Sequence, residues 1–155
     1  MKGNNGHKIV FALLMGAIYT LFGLIQLITG FSRSLGISAP ETLSRFIADV
    51  LFIPPDAIGG FVLVLVGSVF IYGFAELHSG KDEGIAYVYV GILLSLIFAG
   101  IYVLAAFGNV LEVYLLKNEA FAGWSILDDL RPEIYLGAVS LVAYLQWKDH
   151  FDIEN

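Results

Sequence analysis

Four residues at the ends of apolar runs carry the groups most able to do chemistry. Asn109 and Glu112 fall in "FGNVLEVY", Arg131 and Glu133 in "LRPEIYLG". A carboxylate inside hydrocarbon is costly, and where one persists it usually serves transport, proton relay or catalysis. Position along the helix separates the two glutamates. Glu112 lies 27 residues after Ile85, about 40 Å of helix, which exceeds the hydrocarbon thickness of about 30 Å. It is expected in a cap outside the lipid, on one helical face with Asn109 and Leu116. Glu133 lies 16 residues before Asp149, about 24 Å of helix, and so falls just beneath the cap-side surface. Two readings of Glu133 stand side by side. One is a helix-start carboxylate facing the positive helix end, with Arg131 snorkelling beside it. The other is a functional junction in which Asn109, Glu112, Arg131 and Glu133 meet where the cap joins the bundle.

Other chemistries find little support. The chain has no cysteine, which removes disulfides, thiolate metal sites and cysteine nucleophiles. His7, His78 and His150 lack any H-x-x-H or H-E-x-x-H spacing, so a solvated rim is expected and no metal. There is no Ser/His/Asp constellation and no phosphate loop, and neither a cofactor nor an enzymatic activity is expected. A net charge of −6 offers no basic stripe for nucleic acid. Gln26 and Gln146, single amides near span ends, are read as satisfying helix termini. The eight tyrosines, among them Tyr19, Tyr102 and Tyr135, are read as interface anchors or bundle packing.

The elements that must position these groups follow from composition. Of the 155 residues, 58% are hydrophobic and 14% charged, with a mean hydropathy of +0.81. Soluble domains carry about 25% charged residues, so lipid must cover part of this surface. Charge-free runs predict a single transmembrane domain over 1–155, an all-α four-helix bundle with spans at about 9–31, 57–75, 85–107 and 132–147. The first run is longer than a signal-peptide core and no A-x-A-like site follows it, so it is read as retained. Four spans place both termini and the Glu76–Gly84 turn on one side. The long connections, about 32–56 and 108–131, form a small cap on the other. Within the first, Ser38 and Glu41 predict a capping box before an apolar face of Leu43, Phe46, Ile47, Val50 and Leu51. In the second, Trp124 reads as an interface anchor followed by one helical turn. "PPDAIGG" and "RPEIYLG" each place Pro then an acid at a helix start, which suggests a parallel two-helix duplication.

Glycine carries the packing signal. Gly16, Gly23 and Gly30 recur at sevens, as do Gly60 with Gly67 and Gly84 with Gly91, while Gly91, Ser95 and Ala99 form a small-xxx-small row. Helices in lipid gain no hydrophobic drive toward one another, so small residues mark faces of close approach, within one chain or between chains. Lysine and arginine divide equally between the two sides; the basic N-terminus points both termini to the cytoplasm of a multi-pass cell-membrane protein. The first functional expectation is a structural or accessory subunit that contacts lipid and associates with itself or a membrane partner. A small-molecule or ion transporter, with a path lined by Asn109, Glu112 and Glu133, is the alternative, and a lipid-modifying enzyme the third.

Overall fold

The computed structural model describes residues 6–36, 50–117 and 123–148. The described residues form four α-helices and one short 3-10 helix, with no strand. The helices are α1 (Gly6–Ser34), α2 (Ala57–His78), α3 (Glu83–Tyr114) and α4 (Pro132–Trp147), with the 3-10 turn Ile126–Asp129 before α4. The first three are long and apolar enough to cross a membrane. The capped surface helix expected from Ser38 lies outside the described residues except for Val50 and Leu51, and His150 lies outside them too.

Local chemistry sets the helix ends. Asp56 caps α2, its Oδ1 accepting from the Ile58 and Gly59 N–H groups at 3.0 and 3.2 Å, which supplies two of the donors a helix start leaves unpaired. The α2–α3 turn is a Schellman closure. Lys81 N–H donates to Glu76 O and Gly80 N–H to Leu77 O, with Gly80 at φ +78, where a side chain would be strained. Lys81 Nζ also meets Glu76 Oε2 at 2.8 Å, and that carboxylate holds the lysine above its ordinary pKa. The 3-10 turn has its own capping box: Ser125 Oγ accepts from Leu127 N–H, and the Asp128 carboxylate accepts from Ser125 N–H. Pro132 occupies the first turn of α4, where its missing N–H is not needed.

Among the buried positions on α1, Ala12, Gly16, Tyr19, Gly23, Gln26 and Gly30 keep the alternating three-and-four spacing of a left-handed bundle seam. α2 is seated on this seam at backbone distance. A Cβ on Gly23 would lie 2.7 Å from Val64 N, and one on Gly60 would lie 2.5 Å from Leu27 N. Gly16 faces Ile71, Gly67 faces Thr20 and Gly30 faces Ala57. These pairs advance along α1 as they retreat along α2, so the two helices are antiparallel in one register. α3 packs on α2 and α4 on α3, while α1 and α4 meet only sparsely. The shared core is Tyr19, Leu63, Phe70, Val88, Ile92 and Leu136. Leu21, Ile28, Phe61, Ile97, Leu104 and Val142 face outward, as lipid-facing side chains should.

α4 has 16 residues, about 24 Å of helix. It traverses the same layer as α1: Glu133 meets Gln26 near the cap, and Trp147 packs edge-on against Phe11 at the terminal end, ring centroids 5.2 Å apart. Between these contacts α1 and α4 each advance by about 22 Å, so α4 lies alongside α1 and not across it.

Substitution at Gly60 tests the α1–α2 register. Gly60→Ala must push Leu27 backbone away and is expected to cost about 1–3 kcal/mol. Gly100→Ala, where a Cβ meets nothing within 4 Å, is expected to stay within about 0.5 kcal/mol of the parent. Unfolding in detergent measures both; equal effects would contradict the seating described.

Candidate functional site

Under the cap, polar side chains are stacked in layers through the bundle. The outermost is a rim between the starts of α2 and α4. Asp56, already capping α2 through Oδ1, accepts from Arg131 Nη1 through Oδ2 at 3.1 Å. The guanidinium also lies over the Tyr102 ring of α3, 5.2 Å from its centroid, a favourable cation–π placement. Tyr135 OH donates to Leu51 O at 3.0 Å, tying α4 to the chain entering α2.

The next layer is closed to solvent. Glu133 is 1% exposed and Gln26 0%. Gln26 Nε2 donates to Glu133 Oε1 at 3.2 Å. Glu133 Oε2 and Gln26 Oε1 are both buried without a hydrogen-bond partner among the described residues. Gly59 makes this meeting possible: a Cβ there would run into Gln26 Nε2 and approach Glu133 Oε1 to 2.8 Å and Asp56 Oδ2 to 3.1 Å. Only a residue without a side chain lets three helices bring these groups together.

Magnitudes decide whether Glu133 is an ordinary helix-start acid. Glu133 stands in the first turn of α4, where the positive helix end is worth at most about 2 kcal/mol to a carboxylate. One hydrogen bond to a charged group adds about 1.5–3 kcal/mol. An ionised carboxylate taken out of water without a cation costs several kcal/mol or more. Arg131 does not provide that cation by contact, because its described ion pair is with Asp56. The helix-start reading therefore leaves the burial of Glu133 uncompensated.

Deeper in the bundle, Tyr19 OH and Ser95 Oγ are hydrogen-bonded, and Ser95 Oγ donates onward to Ser140 Oγ at 2.8 Å. All three residues are buried. Tyr19 lies 15 residues from the cap end of α1, about 22 Å along it, so this chain sits near mid-bundle. Thr20 Oγ1 is likewise buried without a described partner.

The four residues singled out from the sequence take separate places. Glu133 belongs to the buried pair and Arg131 to the rim. Asn109 is in the cap, donating to both carboxylate oxygens of Asp129 at 3.0 and 2.9 Å; Asp129 also accepts from Trp124 Nε1 at 3.1 Å. Asp129 thus ties the 3-10 turn to α3 through Asn109, and the Trp124 indole N–H braces the turn from within its own segment. Glu112 is half-buried further out on α3. Arg131 and Glu133 stand together at the start of α4, and Asn109 is joined to Asp129. Gln26, read from sequence as a terminus amide, is the hydrogen-bond partner of Glu133; Tyr19, read as an interface anchor or bundle packing, packs in the core and bonds to Ser95. Their signal was available: both lie on the same three-and-four ladder as Gly16, Gly23 and Gly30. The glycines of the sequence rows are occupied within the chain: Gly84 is against Leu77, Gly91 against Phe70, and Ala99 against Gly137. Among the described residues no group of three or more His, Asp or Glu is placed to hold a metal ion.

Four helices, an apolar exterior and an apolar core holding a few buried polar groups define an integral membrane helix bundle. The family model described as "MJ0565 integral membrane domain" matches residues 3–149, and the chain belongs to that family. A relative from Methanocaldococcus jannaschii, described as "Uncharacterized protein MJ0565", is 25% identical over 133 residues, covering 86% of this chain and 84% of the relative. No solved structure matches the chain.

The double role of Asp56 yields an ordered expectation. Asp56→Ala removes cap and ion pair together and should cost about 1–2 kcal/mol. Asp56→Asn keeps a capping oxygen and loses only a half-exposed ion pair, for less than about 1 kcal/mol. Thermal unfolding in detergent reads the order; equal losses would mean that the pair with Arg131, not the cap, dominates.

Proposed function

We propose that this protein moves a small monovalent cation through the membrane, with Glu133 as the ionisable group of its pathway. The observation that carries the proposal is a fully buried carboxylate, paired with an uncharged amide on another helix, in a family of membrane domains. Such groups are retained at a cost in stability and are by default functional. The layers around it support the same reading. The Asp56–Arg131 pair forms a rim that can open by side-chain motion alone. Tyr19, Ser95 and Ser140 continue the polar line inward. The sparse α1–α4 seam is the side along which the bundle can widen with least loss of contact. The path expected through Asn109, Glu112 and Glu133 is thereby redrawn: Glu133 stays, Gln26 and Tyr19 join it, and Asn109 and Glu112 belong to the cap.

Purified protein in liposomes tests this with trapped indicators for protons, Na+ and K+. Parent protein should carry at least one of them, and Glu133→Gln should lower that flux at least about tenfold, equivalent to about 1.4 kcal/mol of barrier. Flux unchanged in Glu133→Gln, or none with any of the three, would overturn the assignment.

The accessory-subunit reading has one observation in its favour. Gly100 and Gly108 on α3 face open space, unlike the glycines committed to α1–α2 contacts. Self-association would therefore use the outer face of α3. With α4 crossing as the fourth span, both termini would lie on one side, and the basic "MKGNNGHK" favours the cytoplasm for that side. Reporters fused at Met1 and Asn155 should then give the same compartment; opposite compartments would remove α4 as a span.

A further inference from the structure

We infer that the ligand of the Glu133 site is a proton, held on Glu133 Oε2 and shared with Gln26 Oε1 in a reciprocal carboxyl–carboxamide pair. This rests on the functional assignment of Glu133 made above and names the species that the site binds.

The argument begins with an accounting of donors and acceptors. An ionised carboxylate accepts only, and a primary amide offers one acceptor oxygen and two donor hydrogens. One of the four atoms in this pair already donates to another: Gln26 Nε2 to Glu133 Oε1 at 3.2 Å. The two left over, Glu133 Oε2 and Gln26 Oε1, are both buried acceptors without a described partner. Two acceptors cannot satisfy each other, and buried polar atoms are nearly always satisfied. A single proton on Oε2 changes one orphan into a donor, and directed at Gln26 Oε1 it would form the second half of an eight-membered carboxyl–carboxamide ring. It satisfies both atoms with one bond and removes the uncompensated charge.

The surrounding charges favour the same answer. From α2, Asp56 faces the pair with a negative charge; beside α4, Arg131 brings a positive charge that is bonded to Asp56. The titratable groups on the other elements are Tyr19 of α1, Tyr102 of α3 and Tyr135 of α4, neutral near pH 7 in their ordinary range. No lysine or histidine accompanies them among the described neighbours. A Na+ or K+ ion would need several oxygen ligands around it, and these two orphan oxygens, Gly59 closing one side, supply few.

Infrared difference spectra of the full-length protein in lipid test the proposal. At pH 7 the parent should show a protonated-carboxyl carbonyl band that shifts in D2O. Glu133→Gln should lose it, and Gln26→Leu should move it to the higher frequency of a carboxyl without a hydrogen-bond partner. Glu133→Gln supplies an amide in place of the acid and can close the same ring, so it should fold; its melting temperature should not vary over pH 6–9. The parent's should fall as pH rises, because folding holds a proton that the unfolded chain releases. A missing band at pH 7, a band indifferent to both substitutions, or a band erased by Na+ or K+ at fixed pH would each overturn the proton assignment. The two readings fail separately. A Glu133 band without flux in liposomes sinks transport and leaves the proton pair; flux that needs Glu133 without the band sinks the pair and leaves transport.

Discussion

Close backbone approach between α1 and α2 is the constraint on which the rest of this structure depends. In lipid an apolar side chain gains nothing by leaving the tails for another helix, so dispersion between well-fitted surfaces must supply the attraction. Dispersion falls steeply with distance, which makes the absence of side chains an asset. Gly16, Gly23 and Gly30 on α1 meet Gly67, Gly60 and the start of α2 so tightly that Cβ atoms would collide with main chain. The spacing of seven on one helix answers the spacing of seven on its neighbour, and a shift of one residue would rotate every glycine out of the contact. Register, antiparallel direction and depth are thus set by the same small residues.

That register determines what else must be buried. Gln26 lies between Gly23 and Gly30 on the same face, so seating the glycines drives its amide inward. Gly59, one position before Gly60, clears the space in which the amide meets Glu133. A three-helix polar junction is therefore a consequence of the glycine seam: the chain cannot keep the α1–α2 contact and leave Gln26 in water. The deeper Tyr19–Ser95–Ser140 chain follows from the same ladder. Hydroxyls carried on inward faces must find one another when water is absent.

Much of this was legible from residue types, and the unread part has a physical cause. Charge-free runs located the helices because hydrocarbon penalises ionised groups, and glycine spacing marked faces of close approach without saying which face meets which. The polar partners were harder to read. Gln26, Tyr19, Ser95 and Ser140 carry no charge, so they leave no mark on hydropathy, and their roles depend on which helix lies opposite. Asn109, Glu112, Arg131 and Glu133 stand out by charge or amide, yet the pitch of α3 and the 3-10 turn at Ile126–Asp129 divide them between cap, rim and core. The two Pro-acid starts show the same limit. In "PPDAIGG" the proline precedes the cap and Asp56 is the cap residue. In "RPEIYLG" the proline is already helical and Glu133 follows it into the bundle. A two-residue difference in where the helix begins, relative to the proline, makes one acid a half-exposed cap and the other a buried side chain inside the first turn.

The rim and the buried pair are best understood together. Arg131 precedes Glu133 by two residues, and a helix start directs such neighbours to different sides. Arg131 reaches outward to Asp56 and across Tyr102, where partial hydration keeps the guanidinium affordable. Glu133 turns inward, where its contact is an amide. Had the arginine followed the glutamate inside, two charges would have to be stripped of water and their attraction would do little more than offset that cost. By leaving the cation at the rim and burying the acid against a carboxamide, the fold separates a fixed charge from a group whose charge can change. Asp56 belongs to the fixed side: it is committed to the α2 backbone on one oxygen and to Arg131 on the other. A rim that holds its charge and an interior that need not is the arrangement that lets the core of α1, α3 and α4 stay packed while the state of one carboxyl varies.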